Sequence, residues 1–487
     1  MDGPINSGMS RKTMKAVIIR TELLVYHAIE FYCFASRLFL DRRVLIPLVM
    51  VFFLFYPSMF QEYEAPTYRV ILDPGHGGIA KHPMSVHGDR YDTIRGRYLE
   101  TFKEGASRRS LHEHILVYDI ARRAERLLSG LAPGGDAKRF FRVLSKYTKR
   151  APRTIYIETG MSRGKSITEE EADLVEDPNA PFRLFDYPDA SGSIQKGRIS
   201  RINQARPHLV VSLHMAAAGP RDYEGMNPVI IPPHGLLQKG FEYLRGERDD
   251  SAFFRRSPYR DWFIEDTSRS DFSWFLNDTS LYFTGYPLRR NRETDFTRFR
   301  GYRYNMVDWS YADDPGWEHA ARHNIRSSRY ARRVDDFVPE GRFWDRERST
   351  CENFRRDGGE EGFGGDNAYA AYEIIRYICY SLHLSDDDHP TQKPGKSYVS
   401  VWIMPLHINA VNAFIELGYL NRKRDRHLFT KRRNEIAEGI AVGIYSLCAG
   451  LEVKEGDYKY APRGKRIDFG RYRLPDGSNY FDAVVAD

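Results

Sequence analysis

Apolar positions along this chain follow two rhythms, short β-branched runs stopped by turn residues and longer stretches in which apolar side chains recur every three or four positions. Tyr68 to Asp73 (YRVILD) is a run of the first kind, halted by Pro74-Gly75, and reads as a buried strand entering a turn. From Glu113 to Leu128, the residues Leu116, Ile120, Ala124 and Leu127 step by three or four, which predicts an amphipathic helix. Phe140 to Leu144 reads as a second strand and Ile194 to Ala205 as a helix. Pro207 then leads into LVVSLH, a strand ending at His214. Far downstream, Val411 to Glu416 (VNAFIE) is a further strand, and Arg433 to Leu447 is a closing helix. Strands alternating with helices predict an α/β fold, a mostly parallel twisted sheet flanked by helices.

Two stretches break that alternation. Residues 146–193 are rich in Pro, Gly and Glu and read as a long excursion. Residues 219–398 form a larger one, crowded with Arg, Asp, Tyr and Phe, with a flexible break at Gly358 to Asn367 (GGEEGFGGDN). Helical spacing returns from Ala368 to Leu382. The segment after Leu451 is polar and Tyr-rich and has no readable period.

The amino-terminal part carries a different signal. Val44 to Phe60 (VLIPLVMVFFLFYPSMF) has no charged residue and follows Arg42-Arg43 directly. Its length is at the short end of the roughly 17–25 residues that span a membrane as a helix. The apolar core starts late for a cleaved signal peptide, and no A-x-A-like site follows it. Arg11, Lys12, Lys15, Arg20, Arg37, Arg42 and Arg43 would hold the preceding side in the cytoplasm. The expectation is an uncleaved signal anchor with everything after about Gln61 exported.

Composition narrows the class only a little. With 41% hydrophobic and 29% charged residues, the chain is neither disordered nor a multi-span membrane protein. Its net charge of +7 sets 73 basic against 66 acidic residues, too dilute an excess to argue for nucleic acid. Cys33, Cys351, Cys379 and Cys448 form no CxxC pair, so free buried thiols are expected.

Chemistry concentrates at four positions. His76 sits in Asp73-Pro74-Gly75-His76-Gly77-Gly78, a glycine turn at the carboxyl end of a strand, where open α/β sheets bind ligands. Glu113 opens its helix, where a carboxylate also meets the positive end of the helix dipole. His214 closes an otherwise buried apolar strand, where a histidine is not a packing residue, and a hydrogen-bonded core histidine is the alternative. Glu416 lies inside the apolar run of NAFIELGYLN, and a carboxylate buried there needs a cation, whether an arginine or a metal, or a catalytic duty. Taken together, two histidines and a carboxylate make a His₂Glu zinc set with the fourth position left for water. A further carboxylate alongside would supply the general base. The spacing is unlike a helix-borne HExxH site, so the ligands must converge from separate elements.

These pieces resemble the zinc-dependent N-acetylmuramoyl-L-alanine amidases, bacterial cell-wall enzymes, and they occur in that family's order. They are VILDPGHGG, then Gly105-Ala106 with Glu113 and the helix ILVYDIARRAERLL, then Arg198 and Asn203 ahead of HLVVSLHMAA, and last NAFIELGYLN with EIAEGIAVGI. The resemblance covers about residues 68–218 and 400–450. It places the zinc ligands at His76, Glu113 and His214 and the catalytic glutamate at Glu416. It implies Zn2+ as cofactor, peptidoglycan as substrate, and hydrolysis of the amide between N-acetylmuramic acid and L-alanine. His76 and Glu113 stand 37 positions apart, wider than the family's usual gap, which makes Glu100 and Glu104 rival ligands. His208 stands where the family commonly has Asp, and Met215-Ala216-Ala217 replaces Ala-Asn-Ala.

The organisation expected is a cytoplasmic segment 1–43, an anchor 44–60, catalytic parts 67–218 and 399–452 around a family-atypical insertion 219–398, and a tail 453–487. The catalytic part would lie on the periplasmic side of the inner membrane. The insertion would be a lid, a binding wall or the contact for a protein activator, or a structural elaboration without such a role. Two alternatives to the amidase stay open: another zinc peptidase acting on stem peptides, and a catalytically silent peptidoglycan-binding or regulatory protein.

Overall fold

The computed structural model describes residues 65–79, 88–92, 97–100, 102–166, 168–218, 225–230, 365–385, 393–395, 398–399, 408, 410–454 and 458–469. The expected anchor 44–60, the cytoplasmic segment before it and most of 219–398 lie outside these residues. Among the described residues, no helix is long and apolar enough to cross a membrane.

The main strands and helices, in chain order, are β1 (Thr67–Pro74), α1 (Glu113–Leu128), α2 (Lys138–Leu144), β2 (Tyr156–Met161), α3 (Arg198–Gln204) and β3 (Leu209–Ala216). They continue with β4 (Asn227–Ile230), α4 (Gly365–Ser385), β5 (Tyr398–Val399), β6 (Val411–Tyr419), α5 (Lys423–Lys431) and α6 (Arg433–Ala449). One six-stranded sheet has the order β5-β4-β6-β3-β1-β2. The four strands β2, β1, β3 and β6 run parallel, and β4 pairs antiparallel to β6. The sheet is therefore mixed and mostly parallel, as the alternating pattern predicts.

Period-two alternation sorts each strand between two cores. Val70, Leu72, Val211, Leu213, Ala413 and Ile415 face the larger core, under Leu116, Val117, Ile120 and Ala124 of α1, Ile374 and Ile378 of α4, and Ile436, Ile440 and Ile444 of α6. On the opposite side, Val210 and Phe414 pack with Ile199 and Ile202 of α3. The stripe read in α1 is the buried one, and the helix has the bounds its spacing predicts. Helices α4 and α6 cross closely. A Cβ on Gly439 would meet the Ile378 Cα at 2.4 Å, and one on Gly443 would meet the Ile374 Cα at 3.2 Å. Cys379 and Cys448 are both free and buried within this layer.

Several sequence expectations change. Phe140 to Leu144 is helical, because Phe140 and Leu144, four apart, bury together on one face while Arg142 points to solvent. The strand beside β1 is instead Tyr156–Met161, in the stretch read as an excursion; its burial is weak because it is the sheet edge. The helix read from Ile194 begins only at Arg198, since Ile194 and Gln195 pair with Pro188 and Tyr187. Strands β3 and β6 run past His214 and Glu416 to Ala216 and Tyr419. Within 219–398, β4 joins the sheet and α4 supplies a buried wall of the larger core.

Candidate metal centre

The parallel strands deliver their carboxyl ends to one edge of the sheet. At the end of β1 the chain turns through His76, whose φ of 56° is left-handed, and then through Gly77 and Gly78 at 115° and 76°. A non-glycine residue in that region is uncommon and must be held there. Two buried guanidinium groups hold it by binding the carbonyls of the turn. Arg198 donates to the carbonyl of Pro74 at 2.8 Å, to that of His76 at 3.3 Å and to the Asp73 carboxylate. Arg163 donates to Pro74 and Gly75 at 2.9 Å each, and also to the carbonyl of His114 at 2.9 Å. The last bond ties the β1 turn to the first turn of α1. Burial and the neighbouring Arg198 charge pull the Arg163 pKa down to about 9, which leaves it a cation at neutral pH. Burial alone would raise the Asp73 pKa, but Arg198 and the Ser162 hydroxyl hold it below the usual value.

Glu113 is placed by backbone donors. The N–H of Ala106 reaches its Oε2 at 2.7 Å and the N–H of Met215 reaches its Oε1 at 2.9 Å, while its own N–H bonds the Ala106 carbonyl at 2.9 Å. Two glycines make room for the cluster. A Cβ on Gly75 would lie 2.3 Å from the His214 ring, and one on Gly105 would lie 2.8 Å from both the Glu113 carboxylate and the His76 ring. Burial works against ionising Glu113, yet its interactions with His76 and His214 and the Ala106 N–H keep its pKa well below the usual carboxylate range.

His76, Glu113 and His214 therefore meet. His214 Nδ1 lies 3.1 Å and His76 Nε2 3.6 Å from Glu113 Oε1. One donor atom from each of the three lies within 4.8 Å of the others. The His214 ring stacks on Phe414 at 4.3 Å and meets His76 edge-on at 5.0 Å. His76 Nδ1 faces the Lys103 carbonyl at 3.1 Å, a contact that places the ring proton on Nδ1 and leaves the Nε2 lone pair toward the cluster. Burial lowers the His76 pKa to about 4, so at neutral pH it is in the uncharged form a metal binds. Two imidazoles and one ionised carboxylate, with His76 held by the Lys103 carbonyl and Glu113 by two backbone N–H groups, are a donor set that fits a zinc ion.

Glu416 stands beside this set. It pairs in register with His214 across β6 and β3, so both side chains project from the same face of the sheet. Its Oε2 is buried and has no hydrogen-bond partner among the described residues. Burial, opposed by His214 and reinforced by the Glu113 charge, raises its pKa to about 7. A carboxyl with one unpartnered oxygen and a raised pKa, on the same sheet face as His214, is placed to exchange a proton beside the donor set.

Neighbouring histidines separate from the cluster. His112 contacts the Ser107 hydroxyl, and His114 contacts the Glu104 carbonyl. The rival Glu100 lies in a hairpin paired with Asp89, and Glu104 offers its backbone to His114. His208 sits at the other end of β3, accepting from the Arg69 N–H and packing on Tyr68 and Phe469. The functional residue missed in the sequence is Arg163, two positions past the end of β2 at Met161. Its signal was an arginine at the carboxyl end of an edge strand, hidden in a polar stretch.

Arg163→Ala should weaken zinc binding by about 10–100-fold, the usual cost of losing a group that orients ligands. Chelator competition measures it, and Arg163→Lys should restore only part, since an ammonium lacks the fork that spans three carbonyls. In metal-free protein, Glu416→Gln should change the pH dependence of stability. A carboxyl whose folded pKa stands above its ordinary value contributes stability at low pH that is lost as pH rises through the folded pKa of about 7. The glutamine variant keeps that stability, so it should exceed the parent at pH 8 by on the order of 1–2 kcal/mol, allowing for partial exposure, with the gap closing near pH 4.5. Urea denaturation at the two pH values checks this.

No family model and no curated protein matches this sequence. Solved structures do resemble it. The N-acetylmuramyl-L-alanine amidase Ami1 from Mycobacterium smegmatis aligns with a TM-score of 0.32 and 14% identity, covering 77% of this chain and 94% of that one. Ami1 from Mycobacterium abscessus gives 0.31 and 12%, over 77% and 96%. The CwlD amidase from Clostridioides difficile, in complex with the GerS lipoprotein, gives 0.28 and 10%, over 77% and 96%. Likeness at this level does not by itself assign an activity to this chain, and the donor set has to carry that.

Proposed function

We propose that the chain is a zinc-dependent hydrolase that cleaves the amide between N-acetylmuramic acid and L-alanine in peptidoglycan. The observation that carries the hydrolase is the buried, unpartnered Glu416 Oε2 on the sheet face that also bears His214 of the His₂Glu donor set. The choice of this particular amide is supported by the motif order in the sequence. His76, Glu113 and His214 would hold the zinc. Bound there, zinc supplies an acidified water and a Lewis acid for the scissile carbonyl.

The chain's own residues do the rest. Glu416 takes the proton of the attacking water on its carboxylate and delivers it to the leaving alanine nitrogen, which departs poorly unless protonated. A resting pKa of about 7 suits both transfers near neutral pH, and the charge of a bound metal would lower it further toward the base form. Arg163 and Arg198 keep His76 in its left-handed turn throughout. We place the catalytic residues on the outer side of the cytoplasmic membrane, held by the anchor 44–60, with a protein activator as the candidate partner of 219–398.

Mass spectrometry of purified peptidoglycan after digestion by the zinc-loaded protein tests the assignment. Stem peptides beginning with L-alanine, together with peptide-free glycan, are expected. Products cut at another amide would transfer the function to a stem-peptide peptidase. Glu416→Gln should retain zinc and lose about 10²–10⁴-fold in rate; near-parental turnover would remove Glu416 from the mechanism.

A further inference from the structure

The opposite end of the strands carries a concave site, made where two short basic runs of the sequence meet. A cleft of about 420 Å³ is lined by Thr148, Arg150 and Arg153 from the segment before β2, and by Glu452 and Arg466 after α6. The backbone of Gly450, just past the end of α6, forms part of its floor. The runs are KYTKRAPR (Lys146–Arg153) and RGKR (Arg463–Arg466), and Lys149 and Lys465 flank the cleft as exposed residues. Arg150 is paired with Glu452 at 2.6 Å, and Lys146 with Glu438 at 2.8 Å. Arg153 and Arg466 are exposed and have no carboxylate partner among the described residues. The modest net charge of the chain is thus locally concentrated, with two forked cations left over at a concave surface. That is the chemistry that receives phosphate, since a guanidinium offers two parallel donors to its oxygens.

Position selects the source of the phosphate. The cleft lies before the start of β2, whereas the metal centre lies past the ends of β1 and β3. Eight residues of strand separate the two edges by about 26 Å. The Tyr156 N–H bonds the Pro66 carbonyl, so the chain enters the fold beside the cleft, three residues after Arg153. Five residues separate Phe60, the end of the apolar segment, from Pro66, and the six steps between them reach at most about 22 Å. We infer that this cleft docks on the anionic phospholipid headgroups of the membrane that holds the anchor, turning the metal-bearing edge away from the bilayer and toward the wall. The choice of lipid over other phosphates rests on reading residues 44–60 as an anchor.

The test uses the full chain with vesicles of phosphatidylcholine alone or mixed with phosphatidylglycerol, read by hydrogen exchange of peptides covering 146–155 and 449–467. Slowed exchange in both peptides is expected with the anionic vesicles and not with the neutral ones. The double variant Arg153→Glu/Arg466→Glu should lose that protection by more than tenfold in lipid concentration, given about fivefold for each basic residue near an anionic surface. Both positions are exposed and far from the metal centre, so hydrolysis of a soluble muropeptide by the variant should be unchanged. Unaltered exchange with anionic vesicles overturns the inference. Equal protection by inorganic phosphate alone also overturns it, making the cleft a site for free anions. Flotation with neutral vesicles reports the anchor separately: a chain that fails to float there, yet is protected by anionic vesicles, loses the anchor and keeps the cleft.

Discussion

The site depends on one constraint, the left-handed turn that seats His76 against the ring of His214. Sterics disfavour that backbone for a histidine, and the approach leaves no room for a side chain at Gly75. What keeps the turn in place is a pair of buried guanidiniums that bind its carbonyls from beneath. Burying two cations is costly unless their donors are used. Here the carbonyls of Pro74, Gly75, His76 and His114 and the Asp73 carboxylate use most of them, the Arg198 Nε being left without a partner among the described residues. The same bonds that offset the burial of the arginines fix the histidine, so stability and ligand geometry share one set of contacts.

From that turn the remaining ligands follow by topology. Parallel pairing puts the ends of β1, β3 and β6 side by side, and the helix after β1 begins where β1 ended. His214 and Glu416 are adjacent because β3 and β6 pair in register, and they share a face because side chains alternate along a strand. Glu113 arrives with its carboxylate already bonded by two backbone N–H groups. Three environments then separate three titrations. His76 is kept neutral and Glu113 ionised, while Glu416 is raised to about 7. Burial works to lower the His214 pKa, but its hydrogen bond to Glu113 raises it, so this ligand gives up a proton when metal binds, while Glu416 is the neighbour poised to exchange one.

Much of this was legible in the sequence, and the reasons for the gaps are physical. The bounds of α1 could be read because its stripe faces a single core and its first residue carries a charge suited to a helix start. The glycine turn, His214 and Glu416 stood out as polar residues closing or interrupting apolar runs. Phe140 to Leu144 misled because two aromatics in five residues fit either period. Strand β2 was hidden because an edge strand is only half buried, and Arg163 was hidden with it. Helix α4 showed its spacing, but nothing local says that a segment far from the rest of the core fills its centre. That information is held in Gly439 and Gly443, which are informative only once their partner is known.

The most direct measurement is X-ray absorption at the zinc edge on the metal-loaded protein, with zinc content determined in parallel. The account predicts one zinc per chain, two imidazole nitrogens at about 2.0–2.1 Å and oxygen donors at about 2.0–2.2 Å, one of them exchangeable. Substitution of His76 or His214 should remove one nitrogen scatterer. Sulfur in the shell, a closed set of four protein ligands, or an unchanged spectrum after either substitution would contradict it.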